Sequence, residues 1–244
     1  MTAPVPTLPR ILPSGDTALT VEFGRTVDET INRKVLAFDR IVAAEQIAGI
    51  RETVPTYRSL LVHYDPVAVD FNTLGARLLT LARQPIMPAE TTRRWRVPVV
   101  YGGEFGIDLE DVAKAHELSP DDVVARHCAG NYFVAMVGFT PGFAYLSGLD
   151  PSLVTPRLTT PRTHTPAGTI HIGGVQAAIQ CLAGPSGWHL LGRTPVRTFH
   201  PDRDPMFLIA PGDAVTFYPI PAQEFPALDR AAERGEMVAQ LVTP

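Results

Sequence analysis

VGFTPGFAYLSGLD (Val137–Asp150) opens the region on which the reading of this chain turns. PRLTTPRTHTPAGTIHIGG (Pro156–Gly174) and VQAAIQCLAGPSGWHLLGRTP (Val175–Pro195) continue it. Gly, Pro and Thr are far denser here than a plain core needs. Glycine permits positive φ and close backbone approach, and proline fixes φ while removing a donor. The segment therefore encodes rigid loops of unusual shape, the means by which a scaffold presents a site. Side chains able to grip a polar ligand are interleaved: Thr140, Tyr145, Arg162, His164, His171, Gln176, Gln180, Trp188, His189 and Arg193.

Outward from this stretch the pattern is one of short strands and turns. Strands are expected at Tyr132–Phe139, Gly168–Ile172, Val175–Leu182, Trp188–Arg193, Met206–Ile209 and Ala214–Ile220. Gly173-Gly174, Gly184-Pro185, Asp202–Pro205 and Pro211-Gly212-Asp213 carry the turn signals. Such spacing predicts a closed or nearly closed β-barrel. Two short helices precede it, Asp108–His116 and Ser119–Cys128. In the second, Ser119 caps, Pro120 takes the first helical position and acids fill the first turn. A terminal helix is expected over Gln223–Glu236.

The N-terminal part reads differently. Residues 1–13 form a Pro-rich lead-in, and Thr17–Phe23 alternates as a strand. Asp28 caps a helix that runs to about Ala48, with Gly49 as its stop. Ile50–Pro55 and Ser59–Tyr64 are strands, Asp70 caps a second helix, and Arg93–Val100 returns as a strand. The order β-α-β-β-α-β is that of a ferredoxin-like α+β domain. The expected division is a small α+β domain at residues 1–92 and a barrel domain at 93–244, the latter including the two short leading helices and the C-terminal one.

Composition narrows the function classes. The chain has 244 residues, 45% hydrophobic and 19% charged, enough to bury a core and unlike a disordered segment. Net charge is −4 without a basic, aromatic-laced run, which argues against nucleic acid. Cys128 and Cys181 stand far apart with no cysteine–histidine cluster, as in a reducing compartment, and give no zinc site. The start, MTAPVPTLPR, lacks the apolar region of a signal peptide. No window reaches the roughly 18 apolar residues of a membrane span. A cytoplasmic protein is expected.

Standard catalytic motifs are missing: no GxxxxGK[ST], no GxGxxG and no GxSxG is present. Ser186 lies between small residues and reads as part of a turn. His164, His171 and His189 lack an acidic or thiol companion at close spacing, so no metal is expected. Arg162 and Arg193 sit in rigid TPR and GRTP turns, where a guanidinium offers a pre-organised fork to a carboxylate or phosphate. The alternative is a structural tie to a backbone carbonyl or to Asp150, Asp202 or Asp213. Phe139 reads as barrel core. Phe143 and Tyr145, thrown together by the Pro141-Gly142 turn, serve either the core or a pocket wall with Trp188. Gln176 and Gln180, four apart on a strand, share a face that is either solvated or aimed at a ligand.

GFTPGFAYLSGLDP, followed by TPR, PAG, GG-x-Q, GPSGWHLLGRTP and PGDAVTFYPI, closely resembles the 5-oxoprolinase B-subunit family, also called KipI-like or allophanate hydrolase subunit 1. The likeness runs in order from SGDTALTVEFG (Ser14–Gly24) through VPVVYGGEFGIDLEDVA (Val97–Ala113) to Ile220, nearly the whole chain. It implies a small α+β domain followed by a cyclophilin-like barrel. It also implies partners: the KipA-like C-subunit and the A-subunit of 5-oxoprolinase, with which members open 5-oxoproline to glutamate using ATP and Mg2+. Activity of the isolated chain is not expected, and the catalytic groups are not identified. The implied substrate-binding residues are Thr140, Phe143, Tyr145, Arg162, Gln176, Gln180, Trp188 and Arg193. Two alternatives accompany the family: inhibition of a sensor histidine kinase, and a carboxyltransferase component of the urea or allophanate type. THTPAG and IHIGG depart from the family pattern by bringing in His164 and His171.

Overall fold

The computed structural model describes residues 8–88, 90–91 and 93–242. The chain divides into two compact units, residues 1–90 and 91–244. The first comprises β1 (Arg10–Pro13), β2 (Ala18–Glu22), α1 (Glu29–Glu45), β3 (Ile50–Pro55), β4 (Ser59–Tyr64) and α2 (Phe71–Ala82). Its strands form one antiparallel sheet in the order β1-β2-β4-β3. Alternation puts Leu19, Val21, Leu60, Val62 and Tyr64 on a single face, where they meet Val35, Phe38 and Val42 of α1 and Leu74 and Leu78 of α2. Asp28 and Asp70 cap the two helices through their carboxylates. Helix α1 stops earlier than Gly49, because Gln46 already takes a left-handed φ of 44°.

This sheet departs from the ferredoxin-like expectation at one strand. Its fourth position is filled by Arg10–Pro13, from the segment read as a lead-in, and not by the strand after α2. The bordering prolines hid a real strand; Pro13 is tolerated because it sits at a strand end in an outer position. Ile11 packs into the core beside Gly75 of α2, and Arg10 pairs with the buried Glu22, which also binds Arg58.

The second unit begins with the strand that the small sheet does not use. It comprises β5 (Arg94–Tyr101), α3 (Leu109–Ala115), α4 (Pro120–Ala129), β6 (Tyr132–Val137), β7 (Ala144–Ser147), β8 (Arg162–Thr165), β9 (Thr169–Gly173), β10 (Gln176–Ile179), β11 (Gly184–Ser186), β12 (His189–Arg193), β13 (Ala214–Pro219), α5 (Phe225–Glu233) and β14 (Gln240–Val242). Seven strands close into a barrel in the order β5-β12-β9-β10-β7-β6-β13, with β13 parallel to β5. Each contributes to one aliphatic interior, including Val97, Val134, Leu146, Ile170, Ile179, Leu191 and Val215. Strands β8 and β11 form a separate two-stranded sheet. Met206–Ile209, expected as a strand, makes only a single bridge, Phe199 to Phe207. Ser119 builds a full capping box with Asp122 at the start of α4. Asp213, in the expected Pro-Gly-Asp turn, is fully buried and accepts hydrogen bonds from Arg93, from the Trp95 indole and from the Ala210 N–H. Among the described residues no helix is long and apolar enough to cross a membrane.

Candidate functional site

Strand register assembles the site on the outer face of the barrel wall. Ala178 pairs with Tyr145 on one side and His171 on the other, and His171 pairs with Leu190. The row Tyr145–Ala178–His171–Leu190 thus crosses four strands on the face opposite Ala177 and Ile179, which point into the core. Ala178 is small, so aromatic rings close over it. Phe143 and Trp188 pack against it with Tyr145 alongside. The Phe143 and Tyr145 rings lie 4.6 Å apart, and Tyr145 meets Trp188 edge-on at 6.0 Å. Gly173 makes room for the indole: a Cβ there would fall 2.7 Å from the Trp188 ring.

The β6–β7 loop supplies the rim. Its ends are tied by Gly138 N–H to the Phe143 carbonyl and Phe143 N–H to the Thr140 carbonyl, each at 3.0 Å. Phe139 takes a φ of 72°, uncommon for a residue with a Cβ and a sparsely populated conformation of the sort that gathers at functional sites. Its ring is thereby turned out of the barrel, 63% exposed, and meets Phe143 edge-on at 5.6 Å. The core role expected of Phe139 is overturned by this reversal of the chain. A cavity of about 230 Å³ results, lined by Phe139, Phe143, Tyr145, Arg157, Ser186 and Trp188 with Pro185 and Gly187.

Two polar features define the cavity. The Arg157 guanidinium lies 5.0 Å from the centre of the Trp188 ring, a cation–π contact, and has no carboxylate partner among the described residues. Ser186 Oγ lies 3.2 Å from His171 Nδ1 and accepts the Trp188 N–H at 3.1 Å. His171 is completely buried, and burial lowers its pKa to about 4, so the ring is neutral near pH 7. Its Nε2 has no hydrogen-bond partner among the described residues, and the nearby Gln180 side chain works against the burial by favouring the protonated ring. Nδ1 and the Ser186 hydroxyl share a hydrogen bond whose donor is set by the tautomer of the ring.

The predicted residues separate into two sets. Phe143, Tyr145 and Trp188 share the cavity. Thr140 is in its rim loop, with Oγ1 buried and unpaired among the described residues. Gln176 is half-buried at the start of β10, on the face of Ala178. Gln180 sits behind His171, accepting from the Thr165 hydroxyl at 3.0 Å and donating to the Leu182 carbonyl at 2.8 Å. Arg162 makes a bidentate pair with buried Asp108, at 2.6 and 2.9 Å, and Asp108 also accepts the Leu190 N–H. The tie expected as the alternative for Arg162 is thus present, but to Asp108. Arg193 donates to the Ala167 carbonyl and lies over the rings of Phe105 and Phe225. His164 is exposed, and His189 contacts the Pro156 carbonyl at 2.9 Å. Among the described residues no three metal-ligating side chains converge.

Sequence reading passed over Arg157 and gave Ser186 to a turn. Ser186 instead ends β11, opposite Arg162 of β8. No local signal marks Arg157; what sets Arg162 apart in its charge pairing is Asp108, 54 positions away.

Comparison with known proteins places the chain. The family described as carboxyltransferase domain, subdomain C and D, matches residues 9–209. The 5-oxoprolinase B-subunit of Bacillus subtilis (strain 168) is 35% identical over 224 residues, covering 87% of this chain and 93% of that protein. The crystal structure of TTHA0988 superposes with a TM-score of 0.74 at 35% identity, over 84% of this chain; the chain spans 40% of that protein's length. The Kluyveromyces lactis urea carboxylase superposes with a TM-score of 0.79 over 95% of this chain and 24% of its own, at 21% identity, a likeness of fold alone. The chain belongs to the carboxyltransferase domain, subdomain C and D, family, and within it to the group of 5-oxoprolinase B-subunits.

Proposed function

We propose that this chain is the B-subunit of a 5-oxoprolinase complex, which opens the lactam of 5-oxoproline to glutamate with hydrolysis of ATP, and that it is inactive alone. The observation that carries this reading is 35% identity to a 5-oxoprolinase B-subunit in an alignment that covers 93% of that protein. The partners are a KipA-like C-subunit and an A-subunit, and the setting is the cytoplasm. The barrel is read as cyclophilin-like, with its outer wall given over to the substrate. Phe143, Tyr145 and Trp188 wall the ring, while Thr140 and Gln176 offer polar contacts at the rim. Arg162 and Arg193 serve by holding the loops around the cavity, because their donors are engaged by Asp108 and the Ala167 carbonyl.

ATP and its Mg2+ belong to the complex, where phosphorylation of the lactam oxygen activates the carbonyl. The lining of this cavity, with one cation and no acidic side chain, offers no ligand for Mg2+. What the chain contributes is a rigid, partly desolvated pocket and a hydroxyl backed by a neutral imidazole.

Co-expression with the candidate partner chains tests the reading. ATP hydrolysis dependent on 5-oxoproline, with glutamate release, is expected when this chain is present and lost when it is omitted. A stable complex inactive on 5-oxoproline would redirect the substrate to another amide or to carboxyl transfer. Absence of any complex would overturn the proposed role within an assembly.

A further inference from the structure

We propose that the outer-wall cavity binds a small cyclic carboxylate with a ring amide, Arg157 taking the carboxylate and Ser186 the amide N–H. The choice of ligand rests on the 5-oxoprolinase reading; the geometry does not.

A guanidinium that has an acidic partner is already satisfied, as Arg162 is by Asp108. Arg157 is exposed, in cation–π contact with Trp188 and without an acidic partner among the described residues. The contact with the indole holds the guanidinium beside the cavity, and a guanidinium fork suits bidentate capture of a carboxylate. None of the residues lining the cavity is acidic, so nothing there repels an anion.

Ser186 completes the pair. A hydroxyl has one donor and two acceptor positions. With the proton of the neutral His171 ring on Nε2, the tautomer this proposal takes, Ser186 gives its own proton to Nδ1 and uses one acceptor position for the Trp188 N–H. One acceptor position remains, and Ser186 lines the cavity. In that tautomer the hydroxyl is held as an acceptor toward the pocket. An amide N–H is its complement. The Phe143, Tyr145 and Trp188 rings line the same cavity, apolar walls for a flat five-membered ring. His171 is in this account a positioning residue: it touches Ser186 and not the ligand.

Three probes separate the two halves of the site. They are 5-oxoproline, with both groups; 2-pyrrolidinone, with the amide only; and cyclopentanecarboxylate, with the carboxylate only. Calorimetric titration of the full chain is expected to show 5-oxoproline binding tightest. Arg157→Ala should weaken 5-oxoproline and cyclopentanecarboxylate by about tenfold or more and leave 2-pyrrolidinone unchanged. Ser186→Ala should weaken 5-oxoproline and 2-pyrrolidinone several-fold and spare cyclopentanecarboxylate. His171→Asn should follow Ser186→Ala, and Arg157→Lys should restore part of the carboxylate affinity. Lack of saturation by either carboxylate at millimolar concentration overturns the proposal, as does an Arg157→Ala affinity equal to wild type or a loss shared equally by all three probes. Carboxylate binding that depends on Arg157 in a chain whose complex is inactive on 5-oxoproline would sustain the site and bring down the functional reading. An active complex with binding indifferent to Arg157 would do the reverse.

Discussion

Across β7, β10 and β9 the inward side chains are Ala144, Leu146, Ala177, Ile179, Ile170 and Ile172, whereas the outward row is Tyr145, Ala178 and His171. The same backbone carries both sets, one residue apart. The inner set is aliphatic and closes on itself, each large side chain stabilising the fold by about 1.5–3 kcal/mol through burial. The outer set is aromatic and polar, and its burial depends on loops and on the β8–β11 sheet. A residue on the inner face is therefore judged by its packing. One on the outer face is judged by whether its polar atoms are already used.

The contrast can be broken most strongly at Asp108. Asp108→Ala leaves Arg162 and the Leu190 N–H without their acceptor, and removing one partner of a buried ion pair costs about 3–5 kcal/mol. Urea unfolding should show that loss, and a change under ~1 kcal/mol would make the pair incidental.

Acid supplies the next effect. Burial lowers His127, stacked on Phe217 inside the barrel, to about 3 and His171 on the outer wall to about 4, from an ordinary 6.5. Both imidazoles take up protons more readily in the unfolded chain, so stability is full above pH 6.5 and is lost as pH falls toward the folded values. Between pH 7 and 5 each should contribute roughly 2 kcal/mol of that loss. Thermal melts across this range should show it, and His171→Asn should remove about half the slope. An unaltered slope would mean that His171 is hydrated.

Arg157→Ala should do least to the fold, within about 0.5 kcal/mol, because the side chain is exposed. A much larger loss would make Arg157 a structural strut and erase the distinction between it and Arg162.

What a sequence reveals here follows the range of each interaction. The caps at Asp28, Asp70 and Ser119 depend on residues two or three positions away, and their side chains do accept those N–H bonds. The aromatic pairing of Phe143 with Tyr145 follows from a turn and a period of two. Phe139 sits two places after Val137 in an alternating run, and its assignment to the core fails because the backbone reverses at that residue. Arg157 and Arg162 are chemically alike and five positions apart; only Asp108 distinguishes them, and it reaches Arg162 through the folded barrel. Arg10–Pro13 is obscured by prolines that a strand can tolerate at its ends.

Closure of the barrel has a consequence for assembly. Strand β12 meets β5 through Gly192 opposite Tyr101 and Arg193 opposite Val100, and a Cβ at Gly192 would lie 2.4 Å from the Val100 carbonyl oxygen. Farther along the same side of β5, β14 pairs with Arg94, Trp95 and Arg96. Among the described residues, Arg94–Arg96 and Val100–Tyr101 on that side of β5 thus already have strand partners, which leaves those stretches closed to an added strand. Recognition along those stretches falls to side chains and loop shapes, which single substitutions can retune without disturbing the cylinder beneath.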